Sequence, residues 1–173
     1  RIMSYVRNTE SFFSLFGSTN YNAMEELKKV IDNLILNANM VEIRCPLGTK
    51  IVGKITESQS KINNSDVSVI RFPIVIHSPI LANNFSGKVV LSKYLTPTGS
   101  KVYKPNYLKL DEPVNVILKN GKIINFLGDT KQVRNVIKHY KNISKMFSID
   151  EKAVHSWHSG IHPGINYRHK ISN

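Results

Sequence analysis

Three imidazoles stand within eight residues, at His155, His158 and His162, in the run His155-Ser156-Trp157-His158-Ser159-Gly160-Ile161-His162. Neutral imidazole nitrogen is the commonest protein ligand for transition metals, so the three histidines are candidate ligands of a divalent ion. Backbone geometry decides which of them can cooperate. On an extended strand His155 and His158 point to opposite faces, while His158 and His162 share a face about 13 Å apart. A turn at Gly160, or a helical segment starting near Asp150, would bring two of them together. A third ligand, commonly a carboxylate in mononuclear iron sites, has Asp150 and Glu151 as its near candidates. The bland alternative is one hydrogen-bonded core histidine with the others in solvent. For a single histidine that alternative is the stronger reading; for the cluster the two stand level.

Trp157 and His77 are the candidates for substrate contact, each weighed against an ordinary place in a core. Gly48-Thr49-Lys50 lacks the spaced glycines and following helix of a phosphate loop. Ser156 lacks the flanking glycines of a nucleophile elbow. Cys45 reads as a small buried hydrophobe rather than a reactive thiol.

The elements that must position these residues can be read from periodicity. Ser18 to Asn22 offers caps, with Glu25 in capping-box spacing to Asn22. Met24, Leu27, Ile31, Leu34 and Ala38 then mark one apolar helix face, with Glu25, Glu26, Lys28, Lys29 and Asp32 turned to water, as far as Asn37 to Asn39. The start before this helix is polar and reads as irregular. Val41, Ile43 and Cys45, then Ile51, Val52 and Ile55, predict a strand pair broken at Pro46 to Gly48. Thr56 to Asp66 reads as a loop, and Val67 to Ile80 as β-rich with breaks at Pro73 and Pro79. Val89 to Leu91 is a short strand, and Ser92 to Pro113 a long excursion with little regular structure. Asn120-Gly121 joins Val114–Leu118 to Lys122–Phe126 as a tight hairpin. Asp129 or Thr130 caps a helix with Val133, Ile137, Tyr140, Ile143 and Phe147 as its buried stripe. The expected class is α+β, with a mostly antiparallel or mixed sheet and two main helices, in a single domain over 1–173.

Lys+Arg 24 against Asp+Glu 12 gives 24 − 12 = +12. A field of that size attracts anions. The cations are dispersed, however, without the basic block of a nucleic-acid tail, so a lysine-rich solvated surface is the preferred reading. Tyr94, Tyr103 and Tyr107 near lysines keep a nucleic-acid or polyanion binding module open as a less favoured alternative. One cysteine excludes an internal disulfide, and no apolar run approaches the roughly 20 residues that span a bilayer. A reducing, cytoplasmic setting with no membrane partner is expected.

Taken in order, Cys45-Pro46-Leu47-Gly48-Thr49, Phe72 to Pro79, Gly87 to Leu91, the Asn120-Gly121 hairpin with its following helix, and Gly160 to Pro163 resemble the aminopeptidase T family. They also resemble its relative, the dihydroxypyridine ring-opening dioxygenase, over about Val41 to Tyr167. The resemblance implies the C-terminal part of a longer metal-dependent enzyme acting on a small-molecule substrate, with self-association as a further option. The peptidases carry glutamates where this chain has Ile74 and Ser156. The dioxygenase has a histidine at the second place, which His155 or His158 would supply. Its cofactor would be Fe(II), with zinc or manganese as alternatives, and its remaining ligands would come from a later histidine-x-aspartate motif. The chain alone is therefore expected to be inactive.

Overall fold

The computed structural model describes residues 2–4, 6, 8–56, 70–97 and 103–164. In chain order the elements are β1 (Ile2–Ser4), α1 (Thr9–Phe13), α2 (Leu15–Ser18), α3 (Tyr21–Leu36), β2 (Met40–Arg44), β3 (Lys50–Lys54), β4 (Ile70–Phe72), β5 (Val75–Ile76) and β6 (Ile80–Leu81). These are followed by β7 (Phe85–Leu95), β8 (Leu108–Lys119), β9 (Lys122–Leu127), α4 (Thr130–Phe147), β10 (Ser156–Trp157) and β11 (Gly160–Ile161). The class is α+β with two long helices and a five-stranded antiparallel sheet. Among the described residues, no helix is long and apolar enough to cross a membrane. The chain forms two compact units, one of residues 1–38, 55–80 and 157–173, the other of 39–54 and 81–156.

The second unit is a meander of order β2-β3-β7-β8-β9, every neighbouring pair antiparallel. Alternation explains its burial, because Val114, Val116 and Leu118 on β8 face one side and are buried, whereas Lys119 is exposed. Phe85, Ile51 and Ile123 extend this core. Helix α4 begins at Asp129, whose carboxylate accepts from the Lys131 and Gln132 amides at 3.0 Å each. Val136 is fully buried with Leu110 and Val114, and Val133 and Tyr140 pack beside them. Asn120 and Gly121 take φ of 48° and 71°, the left-handed geometry a two-residue hairpin needs.

Between Ser92 and Pro113, strand replaces the expected excursion at both ends, while 96–97 and 103–107 stay irregular. β7 runs on to Leu95 and β8 starts at Leu108. The register shifts between Leu91 and Lys93, and Lys93 adopts φ 63°. Leu91 pairs with Val114 and Lys93 with Leu110, so Asp111, Glu112 and Pro113 bulge opposite Ser92. A proline at a bulge breaks no ladder, which is why its breaking signal misleads.

The first unit contains α1 to α3 and the pairs β1–β4, parallel, and β5–β11, antiparallel. The chain's start is thus not irregular throughout. Asn8 caps α1 by accepting from Ser11 N at 2.7 Å. Asn20, rather than Asn22, caps α3 through Ala23 N at 3.2 Å. Glu25 closes no capping box; Tyr21 donates to it at 2.7 Å, and burial followed by this carboxylate pushes the phenol pKa up to about 12. The inward face of α3 is also rotated from expectation. Leu27 and Leu34 are exposed, while Lys28 and Asp32 form a half-buried ion pair. The residues 57–66 of the expected loop, and 67–69 of the β-rich run, lie outside the described residues.

Gly87, at φ +131°, passes so close to β3 that a Cβ there would run into the Lys50 carbonyl. Gly87→Ala should destabilise the chain by about 1–3 kcal/mol, read from urea unfolding with an unchanged denaturant slope. Unaltered stability would show that the β3–β7 approach is looser than described.

Candidate functional site

The histidine run is extended. His158 and Ser159 connect β10 to β11, and neither a helical segment at Asp150 nor a turn at Gly160 forms. The turn instead follows His162, at Pro163-Gly164. The backbone register sets this arrangement, since Gly160 pairs with Ile76 and Ile161 with Val75.

His77, one residue beyond β5, completes the clasp. Ser159 N donates to His77 Nε2 at 3.1 Å, so that nitrogen carries no proton, and Nδ1–H donates to the Ser78 carbonyl at 2.8 Å. The ring is thereby neutral with its tautomer assigned by two backbone groups. Ser78 N in turn donates to Asp32 Oδ1 at 2.7 Å, and the other carboxylate oxygen of Asp32 meets Lys28. A continuous relay of polar contacts therefore ties α3 to β5 and to the histidine run. This accounts for the rotation of α3, because Asp32 must face inward to reach Ser78.

His162 is half-buried, with its ring centroid 5.0 Å from that of Phe16. Its Nδ1 accepts from Gly164 N at 3.0 Å, which places its proton on Nε2. Nε2 is buried and makes no hydrogen bond of good geometry. Burial lowers the pKa of this ring, and the nearby Phe16 backbone acts in the opposite sense.

His155 belongs to the second unit and is exposed. Its carbonyl accepts from Ala82 N at 3.0 Å, and Val154 N donates to Gly121 O at 2.9 Å, so the backbone here is stitched to the hairpin turn. Its Nδ1 lies 3.0 Å from Ser156 Oγ, a hydroxyl that can give or take the bond, so both tautomers fit. His158 is exposed, and Trp157 is half-buried. Asp150 accepts from Lys152 N at 2.8 Å and from Lys122 at 3.3 Å, contacts that in this order hold its carboxyl below the usual range. Glu151 beside it is half-buried.

These contacts supply a test of fit for a divalent ion. A neutral histidine binding metal through one nitrogen carries its proton on the other. His77 has no nitrogen to spare. His162 would have to lose the Gly164 bond, because metal at Nε2 requires the proton on Nδ1. His155, in the second unit, fits without disturbing a backbone bond, and His158, in the first, is exposed. Among the described residues, no three histidine, cysteine, aspartate or glutamate side chains converge on one point.

A second feature lies in the second unit. Asn135, Lys138, His139, Asn142, Lys145 and Met146 share one face of α4 by helical spacing, opposite the stripe that meets the sheet. With Tyr103, Pro105 and Leu108 they line an open cavity of about 630 Å³. Tyr103 Oη and His139 Nε2 are hydrogen-bonded at 3.3 Å. Burial raises the tyrosine pKa and lowers that of the histidine. Sequence reasoning passed over His139 because a polar helix face reads as solvated. The available signal was its spacing with Asn135, Asn142 and Met146. Comparison of the chain with protein-family models, curated proteins and solved structures returned no match.

Two measurements check this geometry. His77→Ala should speed hydrogen exchange of the Ser159 amide at least tenfold while leaving β8 amides unchanged; equal protection in both proteins would dispose of the clasp. The pH dependence follows from His139 and His162, both lowered from 6.5. The unfolded chain then binds more protons near and below that value, so stability is complete above it and declines as pH falls through 6.5 towards the folded pKa values. The urea midpoint should drop between pH 7 and pH 5.5, less steeply in His139→Gln. A midpoint that stays flat or rises on acidification contradicts the burial of these rings.

Proposed function

We propose that this chain is part of a metal-dependent enzyme related to the non-haem iron ring-opening dioxygenases, working on a small-molecule substrate in a reducing, cytoplasmic setting. The observation that carries the reading is the division of labour among the histidines. His77 and His162 are tied to backbone amides, whereas His155 keeps a tautomer compatible with a ligand bond. His155 or His158 is the ligand assigned here, and Fe(II) the preferred ion, with zinc or manganese as alternatives. Bound there, Fe(II) would bring dioxygen and substrate oxygens to one centre. The chain's own contribution is positional. β11 and the His77 clasp hold the His158-bearing connection, and the Ala82 contact holds the His155 backbone. Completing the ligand set calls for donors outside this group. Cys45 is a free thiol, in keeping with the reducing setting.

The peptidase reading is weaker, because Ile74 and Ser156 offer no carboxylate where that chemistry would place one. A single-stranded nucleic-acid platform needs open aromatic faces. The described tyrosines are instead half-buried and paired, Tyr94 edge-on to Tyr107 at 5.9 Å and Tyr103 beside Phe147 at 6.1 Å.

Sub-stoichiometric Mn(II) added to the chain should broaden the imidazole NMR signals of His155 and His158 and spare that of His77. His155→Ala/His158→Ala should weaken Mn(II) binding at least tenfold. Broadening of all six histidines alike, or of none, would remove the metal assignment.

A further inference from the structure

The cavity along α4 has a composition that the metal reading does not use. Lys104, Lys138 and Lys145 are among its lining residues, and none of the lining residues is acidic. Its walls are carbon-rich, with Tyr103, Pro105, Leu108, Ile143 and Met146 among the lining and the Tyr103 ring centroid 5.8 Å from that of His139. The volume of about 630 Å³ lies within the roughly 300–1,000 Å³ usual for small-molecule sites. We propose that this cavity binds a small aromatic anion, the ring lying against Tyr103, His139 and Met146 and the acidic group among the three lysines.

Each component of the cavity selects for part of that ligand. Methionine and aromatic side chains favour a flat, polarisable ring over a compact inorganic ion. An ammonium on a four-carbon stem follows a charge without imposing fork geometry, which suits a carboxylate or sulfonate whose position the ring has already set. Burial holds His139 towards its neutral form, so it contributes surface and a hydrogen bond to Tyr103 rather than a fourth charge. The charges also lie on a rigid support. Lys138 and Lys145 are seven residues apart on one helix, two turns, and Val136 of that helix is fully buried in the sheet core. A bare phosphate would leave the apolar lining of Tyr103, Leu108, Ile143 and Met146 without a partner, and a polymer calls for a longer track of exposed rings than these residues offer.

The test uses the whole chain and four probes: 2-naphthoate, its neutral counterpart 2-naphthylmethanol, inorganic phosphate and a short oligothymidylate. Titration with naphthoate should shift the amide NMR signals of residues 135–146. Calorimetry should show Lys138→Gln/Lys145→Gln binding naphthoate at least fivefold more weakly, with Lys29→Gln unchanged and naphthylmethanol equally weak on all three proteins. Shifts centred elsewhere, or a double variant as tight as the parent, overturn the site without reference to the metal. Displacement of naphthoate by equimolar phosphate would make this a simple anion site, and tighter, steeply salt-dependent binding of the oligonucleotide a polyanion surface. Either result also overturns the proposal.

Discussion

A histidine with one proton and two backbone partners has a single way to satisfy both, and the first unit is organised around that constraint at His77. Ser159 supplies a donor, so Nε2 must accept; Ser78 supplies a carbonyl, so Nδ1 must donate. Each of the two bonds fixes the proton position that the other needs, which makes this arrangement self-reinforcing. The same serine extends it to α3, where Asp32 accepts from Ser78 N and faces Lys28. A helix-face carboxylate is thereby drawn inward at the expense of Leu27 and Leu34, which stay exposed.

The second unit achieves rigidity by different means. Its sheet is a sequential meander, and the connection of Lys152 to His155 is laid against it by backbone bonds alone: Ile123 N to Lys152 O at 2.7 Å, Val154 N to Gly121 O at 2.9 Å, and Ala82 N to His155 O at 3.0 Å. Because the main chain provides all three, side chains along this connection are released from structural duty. His155 is exposed on a fixed backbone, the condition in which a functional imidazole keeps its choice of tautomer.

Local chemistry explains what was legible beforehand. The Asn120-Gly121 turn and the helix over Thr130–Phe147 are read correctly because a two-residue left-handed turn and a 3.6-residue period each involve only neighbours in sequence. The expected stripe is nonetheless half-buried, and the fully buried Val136 lies beside it. Pro113 misleads because its meaning depends on a bulge opposite Ser92, a fact of another strand. Lys28 and Asp32 mislead for the same reason, since their inward turn is dictated by Ser78, 46 residues from Asp32. The histidine cluster was recognisable as a group, but which of its rings a backbone amide engages was not. Gly164 is two residues from His162, and the amide that occupies its Nδ1 has no signature in composition. His77 and Ser159 are joined across 82 residues.

Charge follows a similar logic. A net charge of +12 is featureless when counted along the chain. Among the described residues, five carboxylates are committed to ion pairs with lysine or arginine: Glu26, Asp32, Glu42, Asp111 and Asp150. The pairs other than Lys28–Asp32 are exposed and contribute little stability. Their effect on the field is larger, because each neutralises its own neighbourhood and leaves the remaining positive charge concentrated where no carboxylate is near. The α4 face carrying Lys138 and Lys145 is such a place, since its lining holds no acidic residue. An excess of lysine that looks like ordinary solubilising surface in one dimension thus becomes local in three, where Lys138 and Lys145 share a helix face with apolar lining residues.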